Sequence, residues 1–241
     1  MISIVIPTYY EEKIIGCTLS SLKTQLTIPH EIIVSDGGSK DKTVEIAAKY
    51  TDKIVVYSGT KRQTIAQGRN DGARIAQGGF LVFLDADCVL RDADSFLGAA
   101  LSNFDRVHNL VALTALLRVL PENETTSDRV IAGIVNSIVL IKNNILHKGE
   151  VPGGEFLMIP KPAFDRVGGF DEELVTREDR DIFFRLSKIG RTLCDRRLTV
   201  FHTGRRAHHY GWFHMIWLLV INSLSFHVHG RIRSKEWTPI R

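Results

Sequence analysis

Cysteine is scarce in this 241-residue chain: Cys17, Cys88 and Cys194 are far apart and odd in number. No Cys-x-x-Cys pair and no Cys/His spacing marks a zinc site, and reduced thiols of the cytoplasmic kind are expected. There is no Pro/Ser-rich linker and no internal repeat, and the composition is ordinary for a globular protein, which argues against disordered or repetitive designs. The opening ISIVIPTYY reads as no signal peptide. Acids nearly vanish towards the end. After Gly204 there are six Lys/Arg and one acid, Glu236, against 25 basic and 26 acidic residues before it. The basicity is therefore local. That disfavours a nucleic-acid-binding face and favours a site for phosphates or anionic lipid. The length suits one sizeable domain, or one domain plus an appendage.

Within that frame, FLVFLDADC (residues 80–88) is the most informative stretch. An apolar run delivers Asp85 and Asp87 to one strand end, and acids spaced i, i+2 on extended chain point the same way. Such a pair suits a shared divalent cation, which can in turn hold a diphosphate. The first half alternates Ile/Val-rich runs with amphipathic stretches. This predicts strands over 2–7, 31–35, 53–57 and 80–84, and helices over 14–25, 43–50 and 64–76. Strand–helix alternation with apolar strands implies a parallel sheet covered on both faces, with ligands beyond the strands' carboxyl ends. Thr8, Glu11, Asp36, Asp85 and Asp87 fall at those ends. The second half predicts helices over 130–146 and 177–189 and strands over 155–159 and 198–202. Helix 130–146 carries Ile131, Ile134, Val135, Ile138 and Ile145 on one face, expected to pack into the core, with membrane contact as the alternative.

IVIPTYYEE (4–12), VSDGGSKDKT (34–43), GRNDGA (68–73), FLDADC (83–88) and REDRDIFFRL (177–186), in this order and spacing, resemble the family 2 glycosyltransferases over about residues 2–203. The resemblance implies an α/β fold of GT-A type, a Rossmann-like, mostly parallel sheet flanked by helices. It also implies an inverting mechanism and a nucleotide-diphospho-sugar donor, of GDP-mannose or UDP-glucose type. One position departs: the family commonly has Asn where Tyr10 stands, so that loop is expected to meet the donor differently.

Site roles follow from position and resemblance together. Pro7, Thr8 and Glu11 are expected to line the nucleotide pocket, and Asp36 to accept hydrogen bonds from the donor's base, with a turn-capping aspartate as the alternative. Arg69 is expected to hold a phosphate. Gly68 and Gly72 are expected to let helix approach sheet. Asp85 and Asp87 resemble the DXD motif that binds Mg²⁺ or Mn²⁺, with His202 as a further candidate ligand. Glu178 and Asp179 resemble the ED motif, with Asp179 as the base that takes the acceptor hydroxyl proton. Their place at a helix N-terminus is expected to depress both pKa values. Asp181 and Arg185 read as a helical salt bridge. Gly153, Gly154 and Glu155 are acceptor-side candidates, and Arg205 and Arg206 are expected over the diphosphate or against lipid headgroups.

Residues 207–230 contain no Asp, Glu, Lys or Arg, and Tyr210, Trp212 and Trp217 are residues of membrane interfaces. The segment barely reaches spanning length and has basic flanks, so an apolar helix lying in the membrane interface is expected. These readings divide the chain into a catalytic domain, 1–204, and a membrane-associating extension, 205–241. They describe a glycosyltransferase at the cytoplasmic face of the cell membrane, moving a hexose to a hydroxyl of a lipid-linked or glycan acceptor, with no nucleic-acid partner. A polyprenyl-phosphate sugar synthase, whose acceptor needs no deprotonation, and a non-catalytic nucleotide-sugar-binding subunit stay open. A nucleotidyltransferase would show a GxGxR-like loop where this chain has PTYYEE.

Overall fold

The computed structural model of the chain describes residues 1–212. In its first half, β1 (Ile2–Thr8), α1 (Ile15–Gln25), β2 (His30–Asp36), α2 (Thr43–Ala47), β3 (Ile54–Val56), α3 (Ile65–Ile75) and β4 (Phe80–Leu84) follow the predicted alternation. β1 pairs in parallel with β2 and β4, and β2 with β3. β1 is apolar on both faces because each face meets a core: Ile2, Ile4 and Ile6 join one hydrophobic cluster and Val5 the other. Gly72 lets α3 lie close to β1; a Cβ there would stand 2.3 Å from Val5 Cγ1.

The second half is mixed rather than parallel. It comprises β5 (Cys88–Leu90), α4 (Ala93–Arg106), β6 (Leu110–Val119), α5 (Thr126–Leu140) running into a π-helical turn (Ile141–Ile145), β7 (Phe156–Pro160), α6 (Lys161–Arg166), α7 (Glu178–Leu186), β8 (Arg191–His202) and α8 (Arg205–Tyr210). One sheet runs β3-β2-β1-β4-β7-β6-β8-β5, with β7 antiparallel to β4 and β6, β8 parallel to β6 and β5 antiparallel to β8. β1 lies between β2 and β4, so the winding reverses between β1 and β4, which opens a crevice at their carboxyl ends. The sequence pattern does not announce β5, α4 or β6. Residues 110–119 form a short apolar run without clear alternation, a pattern that does not separate buried strand from buried helix.

Two expectations fail here. Asp85 and Asp87 do not lie on extended chain: a turn links β4 to β5, closed by the Cys88 N–H donating to the Asp85 carbonyl at 3.1 Å. Helix α5 does not bury its isoleucines; Ile134, Ile138 and Ile145 are exposed. Of the expected apolar interface helix, the described part is α8 alone, ended at Gly211 (φ 78°). The remainder of that expectation lies outside the described residues. Among the described residues no helix is long and apolar enough to cross a membrane.

Candidate active site

The crevice holds a cleft of about 600 Å³, walled by the β1 and β4 ends, the loop before β7, and helices α3, α5, α7 and α8. Pro7, Thr8, Glu11, Arg69, Asp85, Asp87, Gly153, Gly154, Glu155, Glu178, Asp179, His202, Arg205 and Arg206 all line it. Thus 14 of the 15 predicted site residues converge on one surface. The exception is Asp36. It is fully buried, and its carboxylate accepts the Gly38 and Ser39 N–H groups (3.0 and 2.7 Å) and the Thr8 and Ser39 hydroxyls (2.9 and 2.7 Å). Ser35 and Gly37 face the cleft instead. In this structure Asp36 ties the β2 turn to β1, the turn-capping alternative, and offers no surface carboxylate to a ligand.

The neighbouring loop shows what the departure at Tyr10 costs. Tyr10 has φ 58°, in the left-handed region where Asn is tolerated far better than a bulky residue. Its N–H donates to the Ser39 hydroxyl at 2.7 Å, locking the β1 loop to the β2 turn. Tyr9 then faces the cleft, with the Arg62 guanidinium 5.1 Å from its ring centroid.

Arg69 corrects the second expectation. It is 1% exposed, and its guanidinium donates to Glu178 (2.8 Å), Asp85 (2.9 Å) and the Gly154 carbonyl (2.9 Å). It therefore fastens the β4–β5 turn, the loop before β7 and the start of α7 to one another. Its terminal nitrogens are committed to these protein acceptors rather than to a phosphate. Gly154 makes room for it, since a Cβ there would meet Arg69 Nη2 at 2.3 Å. Arg205 makes a similar bridge at the cleft mouth. It binds Glu11 through two contacts of 2.8 Å, with its Nε 3.2 Å from Asp87 Oδ2, which also accepts the Thr203 hydroxyl at 2.6 Å. Glu11 and Arg205, both assigned to the donor, thus hold each other.

Five carboxyls, Asp85, Asp87, Glu155, Glu178 and Asp179, share this space with the two bridging arginines. Burial pushes the Glu155 carboxyl up to about 8, helped by Asp85, and its Oε2 has no hydrogen-bond partner among the described residues. Burial raises Glu178, with Asp179 adding to it, and burial raises Asp179 against the pull of Arg69. The expected depression by the helix N-terminus is therefore overturned. Loss of solvent around both acids outweighs the partial charge of the α7 dipole. Asp181 pairs with Arg185 as expected, Nε to Oδ2 at 2.7 Å.

The acids suit a hard cation through carboxylate oxygens, and their mutual repulsion is what such a charge relieves. Asp85 and Asp87 both line the cleft from the β4–β5 turn. His202 does not complete a cage with them. Among the described residues no three His, Cys, Asp or Glu side chains converge on one metal position, and His202 Nδ1 accepts the Gly204 N–H at 3.3 Å.

The opposite wall is apolar: Leu117, Val119, Ile131, Val135, Ile138 and Val139, with Tyr210 and Trp212. The sequence reading missed this wall, and also Glu150, which binds Lys142 (2.5 Å) and Arg180 (3.0 Å) at the rim. The short apolar run of β6 was the available signal, ambiguous between strand and helix; isolated charges such as Glu150 gave none.

Residues 3–162 match the model of the glycosyl transferase family 2 domain. An uncharacterized glycosyltransferase of Haemophilus influenzae is 26% identical over 187 residues, 77% of this chain and 62% of that protein. A mannosyltransferase from Pyrobaculum calidifontis, solved in complex with GDP-Man and Mn²⁺, shares the fold at a TM-score of 0.69 and 18% identity, covering 99% of this chain and 66% of that one. S. aureus TarS 1–349, in complex with UDP-GlcNAc, does so at 0.63 and 20%, covering 83% and 57%. The chain spans about three fifths of the length of these relatives.

Proposed function

The chain belongs to glycosyl transferase family 2, and on that premise we propose that it moves a hexose from a nucleotide-diphospho-sugar to an acceptor hydroxyl, with inversion at the anomeric carbon. One observation carries the reading: a single buried arginine, Arg69, binds an acid of the donor-side turn, Asp85, and an acid of the α7 pair, Glu178, across one cleft.

The nucleotide lies along Pro7, Thr8, Tyr9 and Gly37, at the β1 and β2 ends. Asp85 and Asp87 would hold Mg²⁺ or Mn²⁺, whose charge offsets that gathering on the leaving diphosphate. Arg205 and Arg206 line the same cleft from α8, and Arg205, held by Glu11 and Asp87, would exchange a carboxylate for a phosphate oxygen when the donor binds. Asp179 takes the proton as the acceptor oxygen attacks the anomeric carbon and the bond to the diphosphate breaks. A carboxyl raised by burial is a stronger base than an exposed one. Arg69 keeps Glu178 in place beside it. The apolar wall opposite favours an acceptor that joins its hydroxyl to an apolar moiety, as a lipid-linked glycan does.

A thermal-shift panel of nucleoside diphosphates and nucleotide-sugars, with and without Mn²⁺, tests this. One base and its sugar should stabilise the protein only with the cation, and Asp87→Ala should remove the cation's effect. A panel in which no nucleotide-sugar stabilises the protein would defeat the reading.

A further inference from the structure

Helix α5 is built inside out. Its buried positions are Asp128, Asn136 and Val139, followed by Asn143 in the π-helical turn. Its outward positions are Val130, Ile134, Ile138, Ile141 and Ile145, spaced four, four, three and four residues along one face. With Leu146 they make six of the eleven exposed large apolar side chains among the described residues, so the exposure is concentrated in one patch. A helix covering a soluble domain normally shows the opposite arrangement.

The helix cannot roll to hide this stripe. Asn136 exchanges two hydrogen bonds with the Leu117 backbone, both 3.0 Å. Asn143 donates to the Val139 and Glu150 carbonyls and accepts from Thr192 at 2.6 Å. Asn144 pairs with the Cys194 backbone at 2.9 and 3.0 Å. Turning α5 over would carry these amides outward and leave the Leu117, Glu150 and Cys194 backbone groups they pair with unsatisfied.

We propose that the outward face of α5 docks on a lipid bilayer, with its isoleucines at the boundary between headgroups and acyl chains. Three observations favour lipid. The inner flank of the same helix, Ile131, Val135 and Val139, lines the cleft, and Ile138 belongs to both the cleft wall and the stripe. The start of the uncharged stretch 207–230 also lies on this side: His208 Nε2 is 2.8 Å from Asp128, and Trp212 Nε1 donates to it at 2.5 Å. The described chain thus ends at Trp212 beside the first turn of α5, and in sequence it continues uncharged to Gly230, followed by Arg231, Arg233 and Lys235, suited to anionic headgroups. Finally, interfacial binding grows with the apolar area buried and with the attraction of basic residues to anionic lipid, and the stripe and Arg231, Arg233 and Lys235 supply the two. The inference deepens the transferase reading by naming the surface that presents the acceptor, and its test needs no turnover.

The test is co-sedimentation of the full chain with vesicles of phosphatidylcholine alone, or with about one third phosphatidylglycerol. Wild type should pellet with both, more with the anionic vesicles. Ile134→Ser/Ile141→Ser, which leaves the cleft lining intact, should lower the partition coefficient about tenfold or more, with the melting temperature retained. Phe184→Ser, an exposed apolar site on α7, should pellet like wild type. A double variant that pellets like wild type would overturn the proposal. So would a wild type that stays in the supernatant. A rise in hydrogen exchange along α5 on deletion of 213–241 would then identify the chain's own tail as the cover of the stripe. Donor-induced thermal shifts in the same samples report separately on the transferase reading.

Discussion

Helices α3 and α5 wall the same cleft and begin alike, each with a capping box, Thr64 with Gln67 and Thr125 with Asp128, yet they obey opposite rules. α3 turns Ala66, Gly68, Gly72 and Ala73 inward, so it lies close to the sheet and brings one long cation, Arg69, to the acids. α5 turns amides inward and isoleucines outward. The first is a helix fitted to a charge, and the second a helix fitted to an environment beyond the domain. Periodicity locates both helices, but the partner on each side decides which residues face in.

The largest expected effect breaks the α3 side. Arg69→Met leaves Glu178 buried and Asp85 half-buried without their cation and should cost about 3 kcal/mol of stability by chemical denaturation. Arg69→Lys, with a point charge for three directed contacts, should fall between. The pH dependence probes the same cluster. Glu155 rises from an ordinary carboxyl to about 8 on folding, so its contribution to stability is complete below about pH 4.5 and lost as pH climbs through about 8. The melting temperature of the metal-free protein should decline across that window, and Glu155→Gln should flatten the decline.

On the α5 side, Asn136→Leu leaves the Leu117 N–H and carbonyl unpaired and should cost about 1–3 kcal/mol. If α5 were an ordinary amphipathic helix, this substitution would be neutral or stabilising. The smallest effect sharpens the donor side. Tyr10→Asn should stabilise by up to about 1 kcal/mol by relieving the left-handed backbone, measured by thermal denaturation with donor affinity in parallel.

The donor half was legible because strand ends announce themselves: a buried apolar run that stops at Thr8, or at Asp85 and Asp87, marks the place where the chain leaves the core for the crevice. What Arg69 does was not legible. Its three partners come from segments 16 to 109 residues away, and GRNDGA gives a helix without saying what it reaches. Asp36 was placed at the right turn but given a ligand that the turn itself supplies. The raised carboxyls of α7 depend on burial, which a helix-start pattern does not reveal. For α5 the expected face splits: Ile134, Ile138 and Ile145 turn outward while Ile131 and Val135 line the cleft. The split was not legible because the amides that claim the inner side looked like ordinary surface residues.

The two walls meet in one transfer step, with Asp179 proposed as its base, and side-by-side measurement of turnover and donor binding in Asp179→Asn tests that step most directly. The expected result is a loss of about 10²–10⁴-fold in kcat with donor affinity within about twofold of wild type. Turnover equal to wild type at unchanged donor affinity would contradict it.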